Sequence, residues 1–288
     1  MKSAGSINNS LTTLNVRGKF VDLSTPVVMG ILNITPDSFF EGSRVTTDTA
    51  ILAQAEKMLL EGAMFLDVGG YSSRPGAEDI SLEEELTRVV NAVKIIRQKF
   101  PQALISVDTF RAEVARQAVL EGASLVNDIS AGALDANMFQ TVASLKVPYI
   151  AMHMRGTPQT MNSLTQYDNL VGDVMDYFIS KINHLKHSGI TDIIIDPGFG
   201  FAKTIDQNFE LLSHLDYFKN LNRPVLAGLS RKSMIWKTLG TTPDQALSGT
   251  IALNMTALLK GASILRVHDV KEAVQVINLY TKLRQTSL

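Results

Sequence analysis

Carboxylates, an amide and several cations stand at the ends of apolar runs in this chain, and their spacing suits the capture of a small, flat, partly anionic molecule. The run Ile193-Ile194-Ile195 leads into Asp196-Pro197-Gly198-Phe199-Gly200-Phe201. Pro197 excludes the helical conformation at Asp196, and the two glycines allow a sharp turn close to a ligand. The same glycines separate Asp196 from the next helix, which leaves it to face a ligand and not to cap. Asp108 ends the apolar run Leu104–Asp108, and Asn127 with Asp128 end Leu125–Asp128. For Asp108 and Asp128, capping of the following helix is an alternative to a ligand role. A carboxylate beside an amide oxygen supplies the two acceptors that a heterocycle edge with an N–H and an amino group requires.

Two further segments suit an anion. Gly228-Leu229-Ser230-Arg231-Lys232-Ser233 and Arg266-Val267-His268 bring cations and hydroxyls to two strand ends, and alternation along a strand lets Arg266 and His268 face one way. Cations at a helix start oppose the helix dipole, which favours a ligand role for Arg231 and Lys232 over a solvated helix terminus. Gly69-Gly70-Tyr71-Ser72-Ser73-Arg74-Pro75-Gly76 joins flexible turns to hydroxyls and a guanidinium, as phosphate oxygens require. Asn33-Ile34-Thr35-Pro36-Asp37-Ser38-Phe39-Phe40 offers an amide oxygen suited to Mg2+ and an aromatic suited to a flat substrate. His153, in Met152-His153-Met154, reads equally well as a ligand and as a core imidazole. The chain has no phosphate-binding P-loop, no complete dinucleotide fingerprint and no zinc-ligand spacing, which argues against nucleotide hydrolysis, hydride transfer and metallohydrolase chemistry.

The elements that must carry these groups alternate. From Pro26 onward, strand and helix patterns succeed one another in eight rounds, as βαβ units with a parallel sheet do. The expected helices span 48–61, 82–100, 111–120, 135–145, 169–188, 205–218, 242–260 and 270–283, with capping boxes at Ser81-Leu82-Glu83-Glu84 and Thr242-Pro243-Asp244-Gln245. Eight such rounds predict an α/β fold, a (β/α)8 TIM barrel with an N-terminal β-hairpin around Arg17-Gly18-Lys19 that covers one end. Residues 1–10 are expected to be a disordered tail and 11–288 a single domain. In such barrels the chemistry lies where strands hand over to helices, and the connections at 33–47, 69–80 and 154–167 are long enough for ligand loops. The 288 residues are 45% hydrophobic and 19% charged with a formal net charge of −1, so an anionic ligand must be met by a local cluster and not by a general basic surface. The absence of Cys excludes disulfides, thiolate metal sites and a Cys nucleophile; with a polar N-terminus, it points to the cytoplasm.

These motifs, in this order, resemble those of the dihydropteroate synthase family from about Leu14 to the last helix. Ser106-Val107-Asp108, Asn127-Asp128-Ile129, Asp196 to Phe201, Ser230 to Ser233 and Arg266-Val267-His268 carry the likeness, with Asp67-Val68-Gly69-Gly70 and Met29 to Asn33. The resemblance implies a pterin-binding TIM barrel that is a homodimer. Such an enzyme joins 6-hydroxymethyl-7,8-dihydropterin diphosphate to 4-aminobenzoate with Mg2+, releases pyrophosphate and is the target of sulfonamides. It implies that Asp108, Asn127, Asp196, Lys232 and Arg266 bind the pterin, and that Ser73, Arg74, Arg266 and His268 bind the diphosphate, with Asn33 on the metal. Phe39, Pro75, Phe201 and Ser233 would line the aminobenzoate pocket, and Asp108, Lys232 and Arg74 would be catalytic. Tyr71 and Ser73 depart from the residues common in the family at those positions. A pterin-binding methyltransferase barrel shares the Asp and Asn set but has no need of the Ser230-Arg231-Lys232 and Arg266/His268 cluster. A silent pterin-binding protein would have no need of Asn33, Arg74, Lys232 and His268.

Overall fold

A computed structural model describes residues 12–34, 44–72 and 79–286, without the side chains of 44–47; the expected tail at 1–10 lies outside the described residues. Eight parallel strands run in the order β8-β7-β6-β5-β4-β3-β10-β9. These are β3 (Val27–Asn33), β4 (Phe65–Gly69), β5 (Leu104–Asp108), β6 (Leu125–Asp128), β7 (Tyr149–Met152), β8 (Ile193–Asp196), β9 (Leu226–Ala227) and β10 (Ile264–Val267). A single parallel bridge, Ile195 to Val225, brings the last edge to the first and nearly closes the barrel. The hairpin of β1 (Thr13–Val16) and β2 (Lys19–Asp22) precedes it, with Arg17 and Gly18 at positive φ in the turn.

Strand alternation divides the side chains between two cores. Outward residues such as Val28, Leu66, Ile105, Val126 and Ile195 pack under the helices. Inward residues Met29, Phe65, Leu125, Ile150, Ile194, Leu226 and Ile264 form a separate apolar layer together with Leu14, Val16, Val21 and Leu23 of the hairpin segment. The hairpin therefore seals the end of the barrel where the strands begin, and the opposite end is left for the site.

The helices are α1 (Arg44–Leu60), α2 (Leu82–Lys99), α3 (Ala112–Glu121), α4 (Met138–Leu145), α5 (Leu170–His187), α6 (Ile205–Ser213), α7 (Ser233–Thr238), α8 (Leu247–Leu259) and α9 (Val270–Gln285). Five expectations are corrected. α1 starts four residues before Asp48, whose carboxylate accepts from Asn91 Nδ2 at 2.9 Å instead of capping. α4 starts at Met138 because Asp135 accepts the backbone N–H groups of Ala112 and Asn137, at 2.7 and 2.9 Å, in a turn outside the helix. The expected 205–218 helix breaks after Ser213 into a 3₁₀ segment, Leu215–Leu221, which buries Leu215 and Phe218 at the three-residue spacing of that helix. The region 242–260 is a 3₁₀ turn, Pro243–Gln245, followed by α8, and the Thr242 side chain makes no cap bond. The strand expected to end at 228–233 pairs only at 226–227, and the chain then turns through Arg231 at φ 54° into the short α7. A complete capping box does occur at Thr204 and Gln207, where it starts α6 directly after the loop that follows Asp196.

Candidate active site

The site is the layer above the apolar plug. Two positions beyond Phe65, Leu125, Ile194 and Ile264 along their strands, the inward residues are Asp67, Asn127, Asp196 and Arg266. In cross-strand register, Asn33 pairs with Gly69, Gly69 with Asp108, and Asp108 with Asn127. A Cβ on Gly69 would lie 3.3 Å from Asp108 Cβ, so the missing side chain leaves Asp108 its room at the mouth. Asp128, one residue past Asn127, points the other way. Its carboxylate accepts from the backbone N–H groups of Ser130 and Gly132 and from the hydroxyls of Ser130 and Tyr149, at 2.6–2.8 Å, which makes it a turn-forming residue of the outer layer.

Arg266 holds the centre together. Its Nε donates to Asp67 Oδ2 and its Nη2 to Asp108 Oδ2, both at 2.6 Å, and Asn127 Nδ2 donates to the same Asp67 oxygen at 3.0 Å. Burial alone would disfavour the guanidinium, but Asp67 and Asp108 outweigh it and hold Arg266 charged. Burial pushes Asp108 up to about 7 against the pull of Arg266, with the Asp67 carboxylate adding to the rise.

The Asp196 turn forms the opposite wall. Asp196 Oδ1 accepts from the Gly198 N–H at 2.8 Å, in a turn that only glycine can make: φ is 72°, and a Cβ would lie 2.0 Å from the His153 carbonyl oxygen. Burial raises the Asp196 carboxyl against the field of Lys232. Lys232 Nζ donates to the Phe199 carbonyl and lies 4.8 Å from the centroid of the Phe201 ring, and burial pulls it down to about 8 despite Asp196. Beneath this wall, buried Lys203 donates to His153 Nδ1 and to the carbonyls of Gly198 and Phe201, each at 3.0 Å. His153 therefore accepts as a neutral imidazole, which its burial and the nearby Lys203 charge also favour, and it is a core residue. Lys203 was not foreseen as part of the site; its position next to the Asp196 turn in sequence is the signal that marks it.

At the third wall, Ser230 Oγ lies 3.0 Å from His268 Nδ1 and accepts the His268 backbone N–H at 3.2 Å. Ser233 opens α7 beside Lys232. Arg231 does not join the anion cluster: it forms a bidentate pair with Asp269 at 2.8 and 2.9 Å and donates to the carbonyls of Pro243 and Asp244. Tyr71 packs edge-on against Phe110 and accepts from Gln159 Nε2 at 2.7 Å, so its departure from the family pattern is used to join two loops. Phe39, Ser73, Arg74 and Pro75 lie outside the described residues. The fold therefore brings Asn33, Asp108, Asn127, Asp196, Phe201, Ser230, Lys232, Ser233, Arg266 and His268 to one end of the barrel, together with Asp67, to which no role was assigned from sequence.

Acceptors, an amide and buried cations at the strand-end mouth of a (β/α)8 barrel define a site for a polar heterocycle bearing an anion. Residues 29–268 match the family model described as pterin binding enzyme, and the chain belongs to this family. It is 43% identical over 272 residues to the dihydropteroate synthase of Escherichia coli (strain K12), covering 92% of this chain and 94% of that protein. A solved Xanthomonas albilineans dihydropteroate synthase with 4-aminobenzoic acid superposes with a TM-score of 0.88 at 39% identity, covering 95% and 98% of the two chains. A second structure of the Xanthomonas enzyme, in complex with 7,8-dihydropteroate, gives 0.85 at 37% identity over 94% and 98%. Within the family, the chain is thus an enzyme of the dihydropteroate synthase kind, a transferase of folate synthesis.

Proposed function

We propose that this chain condenses 6-hydroxymethyl-7,8-dihydropterin diphosphate with 4-aminobenzoate, giving 7,8-dihydropteroate and pyrophosphate, through a pterin methylene cation. The observation that carries this reading is the arrangement at one mouth of Asp108, Asn127 and Asp196 as acceptors with Lys232, Arg266 and the Ser230–His268 pair as donors. Relatives of the same fold bind 4-aminobenzoic acid and 7,8-dihydropteroate. Asn127 and Asp196 would take the N–H and amino edge of the pterin, with Lys232 donating to its carbonyl side and Arg266 lying against the ring. His268, with Ser73 and Arg74, would hold the diphosphate. Phe39, Pro75, Phe201 and Ser233 would line the aminobenzoate pocket.

The bond from the pterin methylene carbon to the diphosphate oxygen breaks with its electron pair leaving on the diphosphate. The aniline nitrogen then attacks the methylene and gives up a proton. The Asp108 carboxylate would meet the positive charge that develops on the pterin, while Lys232 and His268, with Arg74, would meet the negative charge on the leaving group. Asn33 fits a role at Mg2+: it supplies one hard amide oxygen at the mouth, and such an ion is commonly completed by substrate phosphates and water. When bound, Mg2+ supplies Lewis-acid neutralisation of the departing diphosphate.

A homodimer and a cytoplasmic site of action complete the reading. α8 exposes Ile251 and Leu259, and Leu239, Leu279 and Leu283 are also exposed, side chains that a second copy could cover. A monomeric mass by light scattering would remove the dimer. Among the described residues no helix is long and apolar enough to cross a membrane. The deciding experiment follows pyrophosphate and dihydropteroate together, with the pterin diphosphate, 4-aminobenzoate and Mg2+ and again without each. Product that requires all three is expected; pterin binding without product would defeat the reading.

A further inference from the structure

Asp67 lies at the centre of the barrel with no solvent exposure and touches two of the residues assigned to the pterin. Its Oδ2 takes two donors, Asn127 Nδ2 at 3.0 Å and Arg266 Nε at 2.6 Å, while its Oδ1 is buried and has no hydrogen-bond partner. Ser106, its register neighbour on β5, is buried with its hydroxyl likewise unpartnered. A carboxylate so placed is costly to a fold that needs only stability, because an apolar pair of similar volume would fill the same space without desolvating a charge.

Resting on the reading above, we propose that Asp67 is a positioning residue for pterin recognition, which turns the Asn127 amide oxygen toward the mouth and holds the Arg266 guanidinium across to Asp108. An ionised carboxylate can only accept, so the Asn127 atom that meets it is the amide nitrogen. The amide oxygen is thereby committed to the other direction, and among the described residues it makes no hydrogen bond. The site then offers an acceptor, never a donor, at this position, and selects a heterocycle whose edge carries ring N–H or amino donors there. Without Asp67, the amide would be free to rotate and present its NH2, and a ligand donor would meet a donor. On the other side, Arg266 would lose one of the two carboxylates that fix its plane.

The test is direct binding of the pterin diphosphate by calorimetry without 4-aminobenzoate, alongside steady-state kinetics. Asp67→Asn removes the carboxylate charge from the two hydrogen bonds on the Oδ2 side and leaves an amide nitrogen buried without a partner at the Oδ1 place, so Asn127 and Arg266 are held less firmly; its Kd for the pterin diphosphate is expected to rise about tenfold or more, the scale of one lost charge-assisted hydrogen bond. KM for 4-aminobenzoate is expected to stay within about twofold, since that substrate meets neither residue. Wild-type affinity in Asp67→Asn overturns the proposal.

If Asp67→Asn does not fold, Asn127→Asp alone decides. Two carboxylates about 3 Å apart retain one proton between them, so its pterin affinity should weaken from about pH 5 to about pH 8, relative to wild type. Asp108, Asp196, Lys232 and Arg266 face this pair in both proteins, and the wild-type curve carries their own titrations. Affinity in Asn127→Asp that follows the wild type across this range overturns the proposal. A wild type that forms no dihydropteroate defeats the synthase reading instead, whatever the variants bind.

Discussion

Asp108→Asn is the substitution that most directly probes how the site works. The carboxylate lies 2.6 Å from Arg266 Nη2 and faces the mouth, and the amide preserves its shape and an acceptor oxygen while removing its charge. Ground-state binding of the pterin loses one hydrogen bond to a charged group, on the order of 1.5–3 kcal/mol at most, and less where the amide oxygen substitutes for it. The rate loses a preorganised charge facing one that develops in the transition state, a change that typically costs about 10²–10³ in kcat. The expected result is therefore a kcat lower by about two to three orders of magnitude, with the pterin Kd raised by about tenfold or less. The pH profile adds a second readout. Burial pushes Asp108 up to about 7 and pulls Lys232 down to about 8; in the proposed mechanism Asp108 acts as the anion and Lys232 as the cation, so wild-type activity is expected to fall below about pH 7 and again above about pH 8. Asp108→Asn should lose the acid limb and keep the alkaline one. Rapid-quench measurement of dihydropteroate from about pH 5.5 to 9.5 brackets both limbs. A kcat within tenfold of wild type, with the acid limb still near 7, would refute the assignment of Asp108 to the charge on the pterin.

Two other substitutions test residues that the fold turns away from chemistry. Arg231→Ala should lower stability by about 2 kcal/mol through loss of its bidentate pair with Asp269 and two carbonyl bonds, a value readable from urea melts. Both KM values should stay unchanged; a large rise in the pterin KM would return Arg231 to the anion site. His153 is pulled down to about 2 in the fold, so below its unfolded value of 6.5 the unfolded chain takes up a proton that the folded chain refuses. Its stabilising contribution is full above about pH 6.5 and is lost as pH falls, by up to about 1.4 kcal/mol per unit. His153→Gln, which can still accept from Lys203, should lose less stability than wild type between about pH 6.5 and 4.5 in thermal melts. Parallel pH curves would show that His153 is protonated in the fold.

Much of this was legible in the chain. Eight short apolar runs alternating with helical patterns specify the barrel, and α1, α3 and α5 carry a glycine stop at positive φ, Gly62, Gly122 and Gly189. The short first hairpin was readable from Arg17-Gly18. Asp196 was readable because Pro197 and its glycines leave it no helix to cap. Helix starts were less legible where side chains had other partners, as with Asp48 on Asn91 and Asp135 on Ala112. The break after Ser213 and the split of 242–260 depend on packing that no local pattern encodes.

What the sequence alone determined, then, is the succession of elements and the chemical inventory at the strand ends. Which members of that inventory meet was decided by the nearly closed barrel. Asn127 and Asp128 must point to opposite faces, as any two successive strand residues do, but only the register with β5 and β7 sends Asn127 inward and Asp128 to Tyr149. Arg231 and Arg266 are the same residue type at the ends of adjacent strands, and one neutralises Asp269 on the outside while the other spans Asp67 and Asp108 within. Those two carboxylates come from strands far from Arg266 in the chain, so their meeting exists only once the sheet has curved round to bring β10 beside β3.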